Sequence, residues 1–233
     1  EAARKRGLDV FVSYRMNDTH DSKGTFENPR LPNPEFADFK RQHPEWLIGQ
    51  PYEEIPFPTL EHAIARGVDY KFPGVREHIL KVIFELIERF DVAGIELDYF
   101  RHPAFFRIEE AYANRYLMTD FIRRVRQRLD EVGKDRGKHL DLLVRVPSSP
   151  YDSKRIGLDI EVWIKEGLVD AVTLKNIDTD TCFFDQVMAL AEKHGVETVH
   201  CPYLNCIFSA SDSWEEQLRH VVRNVSDKGI DAL

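Results

Sequence analysis

The chain alternates short runs of Val, Ile and Leu with longer stretches in which apolar residues recur every three to four positions. Five runs read as strands: LDVFVSY (residues 8–14), VAGIELD (92–98), LDLLVRV (140–146), VDAVTL (169–174) and ETVHCPY (197–203). Near-continuous hydrophobicity of this kind belongs to strands covered on both faces. Between them, Val75, Ile79, Val82, Ile83, Leu86, Ile87 and Phe90 form one apolar stripe at helical spacing, opened by Pro73. A second helix is expected from about Glu109 to Val132 with Gly133 as its stop. A short one covers DIEVWIKEG and ends at Gly167, and another starts near Ser213, where Ser213 and Glu216 have capping-box spacing. EAARKRG reads as a last helical turn stopped by Gly7. Strands alternating with helices predict an α/β fold with a parallel sheet.

Residues 15–72 form the longest stretch without periodicity. They contain NPRLPNPEF, QHPEW and EIPFP, with one short helix expected near residues 35–41. A connection this long is usually functional or disordered. Its Trp46, Tyr52, Phe57 and Tyr70 favour an ordered loop on the active-site side. Five strands plus a sixth beginning at Asp231 fall short of the eight that a (β/α)8 TIM barrel places in roughly 250 residues. The whole of residues 1–233 is therefore read as one barrel domain, lacking its first strands and the end of its last. The rival is an open, doubly wound sheet of six strands.

Composition narrows the partners. A hydrophobic content of 42% with 11% aromatics supports a substantial core. Forty acidic residues against 32 basic ones give a net charge of -8, which disfavours nucleic acid as a partner. The basic run IRRVRQR (122–128) lies on a helical pattern and is expected to be a solvated face. No apolar run approaches the roughly 20 residues of a membrane span, so no membrane partner is expected. Cys182, Cys201 and Cys206 give neither a disulfide framework nor zinc-ligand spacing. No HxH or HExxH pattern, Gly-rich phosphate loop or G-x-S-x-G elbow is present, so neither metal nor cofactor is expected. Nothing in the pattern fixes an oligomeric state.

The candidate chemistry lies in GIELDYFRHP (94–103). Residues two apart on a strand share a face, so Glu96 and Asp98 line one side while Ile95 and Leu97 line the other. In a barrel the first side is the interior, and the strand's C-terminal end is where barrel enzymes do their chemistry. Other strands bring polar groups to the same end: Ser13 and Arg15, followed by Asn17, Asp18, His20 and Asp21; Arg145; Thr173 and Lys175; Thr198 and His200, with Tyr203 and Asn205 just beyond. Arg101 and His102 follow Asp98 directly. An arginine inside LLVRVP calls for a carboxylate or an anionic ligand. The plain alternative is a structural ion-pair network among Glu96, Asp98 and these arginines.

SYRMNDTHD, then VREHILKVIFELIERFDVAGIELDYFRHP, then LLVRVPSS and GLDIEVWIKEGLVDAV together resemble the bacterial glycoside hydrolase-like TIM-barrel proteins described as family 10 glycosylhydrolase-like. The resemblance covers nearly the whole chain. It implies that the first strand here is the barrel's third and GIELD its fourth, with export of the parent protein. A more distant likeness runs to chitinase-type barrels, whose fourth strand reads like DGIDIDWE. On that pattern Glu96 and Asp98 match the two aspartates, Tyr99 matches the Trp, and Phe100 stands where the acid would be, a departure from chitinase-type chemistry.

A carbohydrate substrate follows as the expectation, hydrolysed by two carboxyl groups. Asp98 is the first of them. Glu96 is either its partner on the same strand or lies deeper and raises the pKa of Asp98 by like-charge repulsion, in which case the second carboxyl group is Asp18 or a residue on a missing strand. Arg15, Asn17, His20, Arg101, His102, Arg145, Lys175, Tyr203 and Asn205 are the expected substrate-binding residues, and aromatics of residues 15–72 the stacking wall. The competing readings are a carbohydrate-binding barrel without catalysis and a lyase acting on anionic sugars.

Overall fold

A computed structural model describes residues 4–22, 36–50, 53–55, 59–175 and 184–201. Five strands, β1 (Phe11–Arg15), β2 (Gly94–Asp98), β3 (Asp141–Pro147), β4 (Ala171–Lys175) and β5 (Glu197–Cys201), form one sheet in the order β1-β2-β3-β4-β5, every pair parallel. All five expected strands are present. The order never reverses, unlike that of a doubly wound sheet, which starts again on the far side of its first strand. With right-handed crossovers, a sheet that always advances one strand the same way carries its helices on one face. Such an arc suits a (β/α) barrel; the expected sixth strand and the helix near Ser213 lie outside the described residues.

The helices are α1 (Asp38–Gln42), α2 (Leu60–Ala65), α3 (Pro73–Arg89), α4 (Ile108–Arg136), α5 (Pro150–Arg155), α6 (Ile160–Lys165) and α7 (Phe184–His194). The stripe on α3 buries Val75, Ile79, Leu80, Ile83 and Ile87, whereas Phe90, just past its end, is 51% exposed. Helix α4 runs straight through Gly133. Its stop is Gly137, at φ 66°, a left-handed conformation that glycine adopts without the Cβ penalty. Gly133 instead makes room for the returning chain: a Cβ there would lie 2.6 Å from the Lys138 carbonyl oxygen. The basic run on α4 is not merely a solvated face. Arg124 and Arg128 bind Glu77 and Glu88 of α3, Arg123 binds Glu166, and Arg126 is buried against Asp170.

The two faces of the sheet differ as the alternation requires. Ile95, Leu97, Leu142, Val144, Val146, Val172 and Leu174 are buried under the helices, where they add to the core at about 25 cal/mol per Å² of apolar surface removed from water. Thr198 is in register with Val172 and so belongs to this helix-covered face, not to the expected polar cluster. On the opposite face, one row comprises Ser13, Glu96 and Leu143, and the next, nearer the C-terminal ends, comprises Arg15, Asp98, Arg145 and Thr173.

Residues 15–72 hold more structure than their sequence suggests. Besides α1 and α2, Leu47 pairs with Val68 in an antiparallel bridge, and the buried Tyr70 donates its hydroxyl to the Met16 carbonyl. Trp46 stacks on His43 with ring centroids 3.7 Å apart, and a Cβ on Gly74 would sit 2.3 Å from its six-membered ring. These two aromatics hold the loop together, so the expectation that they form a sugar wall is corrected. Tyr52 and Phe57 lie outside the described residues.

Candidate active site at the C-terminal edge of the sheet

Tyr99 fixes the turn that follows β2. Its N–H donates to the Arg145 carbonyl at 2.9 Å, and its fully buried ring packs on Phe105 and Trp163 on the helix side. Alternation then sends Asp98 to the opposite face. The Asp98 carboxylate is 9% exposed; its Oδ1 accepts the Phe100 N–H at 2.9 Å, and its Oδ2 lies 3.9 Å from Arg145 Nη1.

Glu96, one layer deeper, is fully engaged. Arg145 Nη2 donates to both its oxygens at 2.9 and 3.0 Å, and Ser13 Oγ donates to Oε2 at 2.6 Å. A bidentate guanidinium on a carboxylate is among the stronger polar contacts available to a protein. Arg145 therefore stands between the two carboxylates and offsets their repulsion. Glu96 is thus the anchor that orients Arg145.

A second cluster grows from the turn after β1. Asp18 Oδ2 accepts Arg15 Nη1 at 2.9 Å, and its Oδ1 accepts both the His20 backbone N–H at 2.9 Å and His20 Nδ1 at 2.5 Å. Partial burial alone would raise the Asp18 pKa. The hydrogen bonds from the His20 backbone, Arg15 and the His20 ring outweigh it and hold the carboxyl well below the ordinary carboxylate range. With Nδ1 given to Asp18, the His20 ring turns Nε2 toward Arg101, whose Nη2 meets it at 2.9 Å. His102 stands edge-on to His20, centroids 4.9 Å apart. Its Nδ1 accepts the Thr19 N–H, and burial first, with His20 and Arg101 adding, lowers its pKa against the opposing pull of Asp18.

The structure thus groups Arg15, Asp18, His20, Arg101 and His102, and separately Glu96, Asp98 and Arg145; the register of Arg15 with Asp98 joins the two groups. Lys175 closes β4 with its ammonium 4.8 Å from the Phe100 ring centroid. Asn17 is corrected. It is buried, donates to the Val68 and Ala104 carbonyls at 3.0 and 2.6 Å and accepts the Val68 N–H at 3.0 Å, which leaves it no free role toward a substrate. Tyr203 and Asn205 lie outside the described residues. Ser13, as the clamp on Glu96, is the contributor that alternation alone marks least, since a serine in a strand has no evident partner in the sequence.

Two groups have ligand atoms close enough to draw around a cation. Asp18, His20 and His102 are one, although two guanidiniums bonded to that group oppose a second positive charge. His139, Asp141 and Asp170 are the other, at the opposite, N-terminal edge of the sheet. There Asp170 accepts the Leu142 N–H at 2.7 Å and Arg126 at 2.8 Å, and His139 meets it at 2.8 Å, a clamp on the strand starts. No helix among the described residues is long and apolar enough to cross a membrane.

Neither a protein-family model nor a curated protein matches the sequence. Among solved structures, a glycoside hydrolase family 18 N-acetylglucosaminidase from Paenibacillus barengoltzii is similar over 56% of this chain and 45% of its own, at 15% identity and a TM-score of 0.41. The chain thus spans less than half the length of that protein, and a likeness of this extent bears on neither activity nor substrate.

Proposed function

We propose that the protein is a glycoside hydrolase with Asp98 as its acid/base carboxylate. One observation carries this reading. Of the two carboxylates that β2 turns away from the helices, Glu96 has both oxygens hydrogen-bonded by Arg145 and Ser13, while among the described residues Asp98 accepts a hydrogen bond on Oδ1 alone and its Oδ2, 3.9 Å from Arg145, accepts none. The sequence resemblance to glycoside hydrolase-like barrels points the same way.

Hydrolysis of a glycosidic bond needs a proton on the leaving oxygen and negative charge near the anomeric carbon. Asp98 delivers the proton. Asp18, kept ionised by Arg15 and His20, is the charge that faces the developing oxocarbenium ion. Water then places its oxygen on the anomeric carbon and returns a proton to Asp98. Arg15, Arg101, His102 and Lys175 hold the sugar.

A second reading keeps the same mouth with lyase chemistry. Its support is that Asp98 Oδ2, 3.9 Å from the Arg145 guanidinium, accepts no hydrogen bond among the described residues. Screening neutral and anionic oligosaccharides separates the two. A hydrolase releases reducing ends without an unsaturated, ultraviolet-absorbing sugar end; a lyase releases both; no cleavage of any member of the panel contradicts catalysis.

A further inference from the structure

We propose that the sugar bound at this mouth is anionic and that Arg101 meets its carboxylate or sulfate group. This inference rests on the reading of the mouth as a carbohydrate site. The first support is the local charge. The chain as a whole carries -8, yet among the described residues the mouth gathers three arginines, Arg15, Arg101 and Arg145, beside Asp18, Glu96 and Asp98. Arg15 is matched to Asp18 at 2.9 Å and Arg145 to Glu96 at 2.9 Å.

The second support is the state of Arg101. Among the described residues its guanidinium meets no carboxylate, and its hydrogen bond goes to His20 Nε2 at 2.9 Å. An imidazole nitrogen orients a guanidinium without bringing a negative charge to cancel its own. Asp18 enforces that arrangement, because its hydrogen bond with His20 Nδ1 leaves Nε2 facing Arg101. His102 is not a substitute cation, since burial favours its neutral form. The result is an exposed, pre-oriented fork three residues beyond Asp98. A guanidinium fork matches the planar pair of oxygens of a carboxylate and the oxygens of a sulfate, and binds either by two parallel charge-assisted hydrogen bonds. A neutral sugar leaves this group hydrated and gains nothing from it.

The test uses the wild-type protein, Arg101→Gln and Arg101→Lys, with three oligosaccharides of one backbone: neutral, uronate-bearing and sulfated. Binding is read by calorimetry and cleavage by reducing ends, with thermal unfolding as the check on folding. The wild-type protein is expected to bind one anionic arm roughly tenfold to a hundredfold more tightly than the neutral arm, the value of a charge-assisted hydrogen bond. The arm preferred identifies the group. Arg101→Gln is expected to abolish that ratio and Arg101→Lys to retain part of it. Equal wild-type affinity for all three arms, or an Arg101→Gln loss that is the same on every arm, overturns the inference. Anionic preference without cleavage removes the hydrolase reading and leaves this one standing. Cleavage of all three arms with equal affinity does the reverse, and no binding of any arm overturns both.

Discussion

Arg145 is the residue on which the carboxylate-bearing face of the sheet turns. Its removal strands Glu96, whose side chain is 10% exposed, with only Ser13 as a donor. Breaking a buried pair costs about 3–5 kcal/mol, reduced here because Arg145 is itself near one-third exposed, so Arg145→Met is expected to lose about 2–3 kcal/mol in urea unfolding. Combining it with Glu96→Gln should recover part of that loss, since the stranded charge is gone; equal loss in single and double variants would show that the contact is not the cause. Asp18 gives a pH signature. Its folded pKa is held below the ordinary aspartate value of 3.8, so folding favours the ionised form. The stability this contributes is complete above that ordinary value and is lost as the pH falls toward the lower folded value. Asp18→Asn should therefore destabilise the protein at neutral pH, with the difference from wild type shrinking as the pH drops below about 4. A difference that stayed constant through this range would contradict the hydrogen-bond account.

Elements were the most legible part of the chain. The strands announced themselves because Val- and Ile-rich runs suit a pleated, doubly covered surface, and the α3 stripe because it repeats at helical spacing. What was not legible depended on tertiary contact. Gly133 looked like a helix stop, but its missing Cβ leaves room for the Lys138 carbonyl, and of the two glycines it is Gly137 that takes the left-handed conformation. Asn17 sat among site residues in the sequence, and nothing local shows that it staples Val68 and Ala104. Trp46 and Tyr70 likewise looked like platform residues until their partners were in place. Gly94 marks where β2 and β3 approach: a Cβ there would lie 2.2 Å from the Asp141 carbonyl oxygen. Backbone cannot yield as a flexible side chain can, so Gly94→Ala is expected to cost about 1–3 kcal/mol by overpacking. A denaturation midpoint unchanged from wild type would show that the strands separate freely at this point.

At the scale of the whole molecule, the sheet order places every crossover on the same side, and that is why one face is left for chemistry. The same order explains why charged residues from β1, β2, β3 and β4 meet at one edge although they are spread over residues 15–175. The sequence displayed these residues by their alternation, but it did not display which charges cancel. That partition, with Glu96 tied to Arg145, Asp18 tied to Arg15 and His20, and Asp98 left available, is the substance of the functional proposal. It is tested most directly by comparing wild type with Asp98→Asn on a panel of neutral and anionic oligosaccharides, following both reducing ends and binding. The account predicts that wild type cleaves at least one member, that Asp98→Asn loses about 10²–10⁴-fold in rate, as removal of a general acid/base should, and that binding persists. Cleavage at the wild-type rate by Asp98→Asn, or binding without cleavage by both proteins, would contradict it.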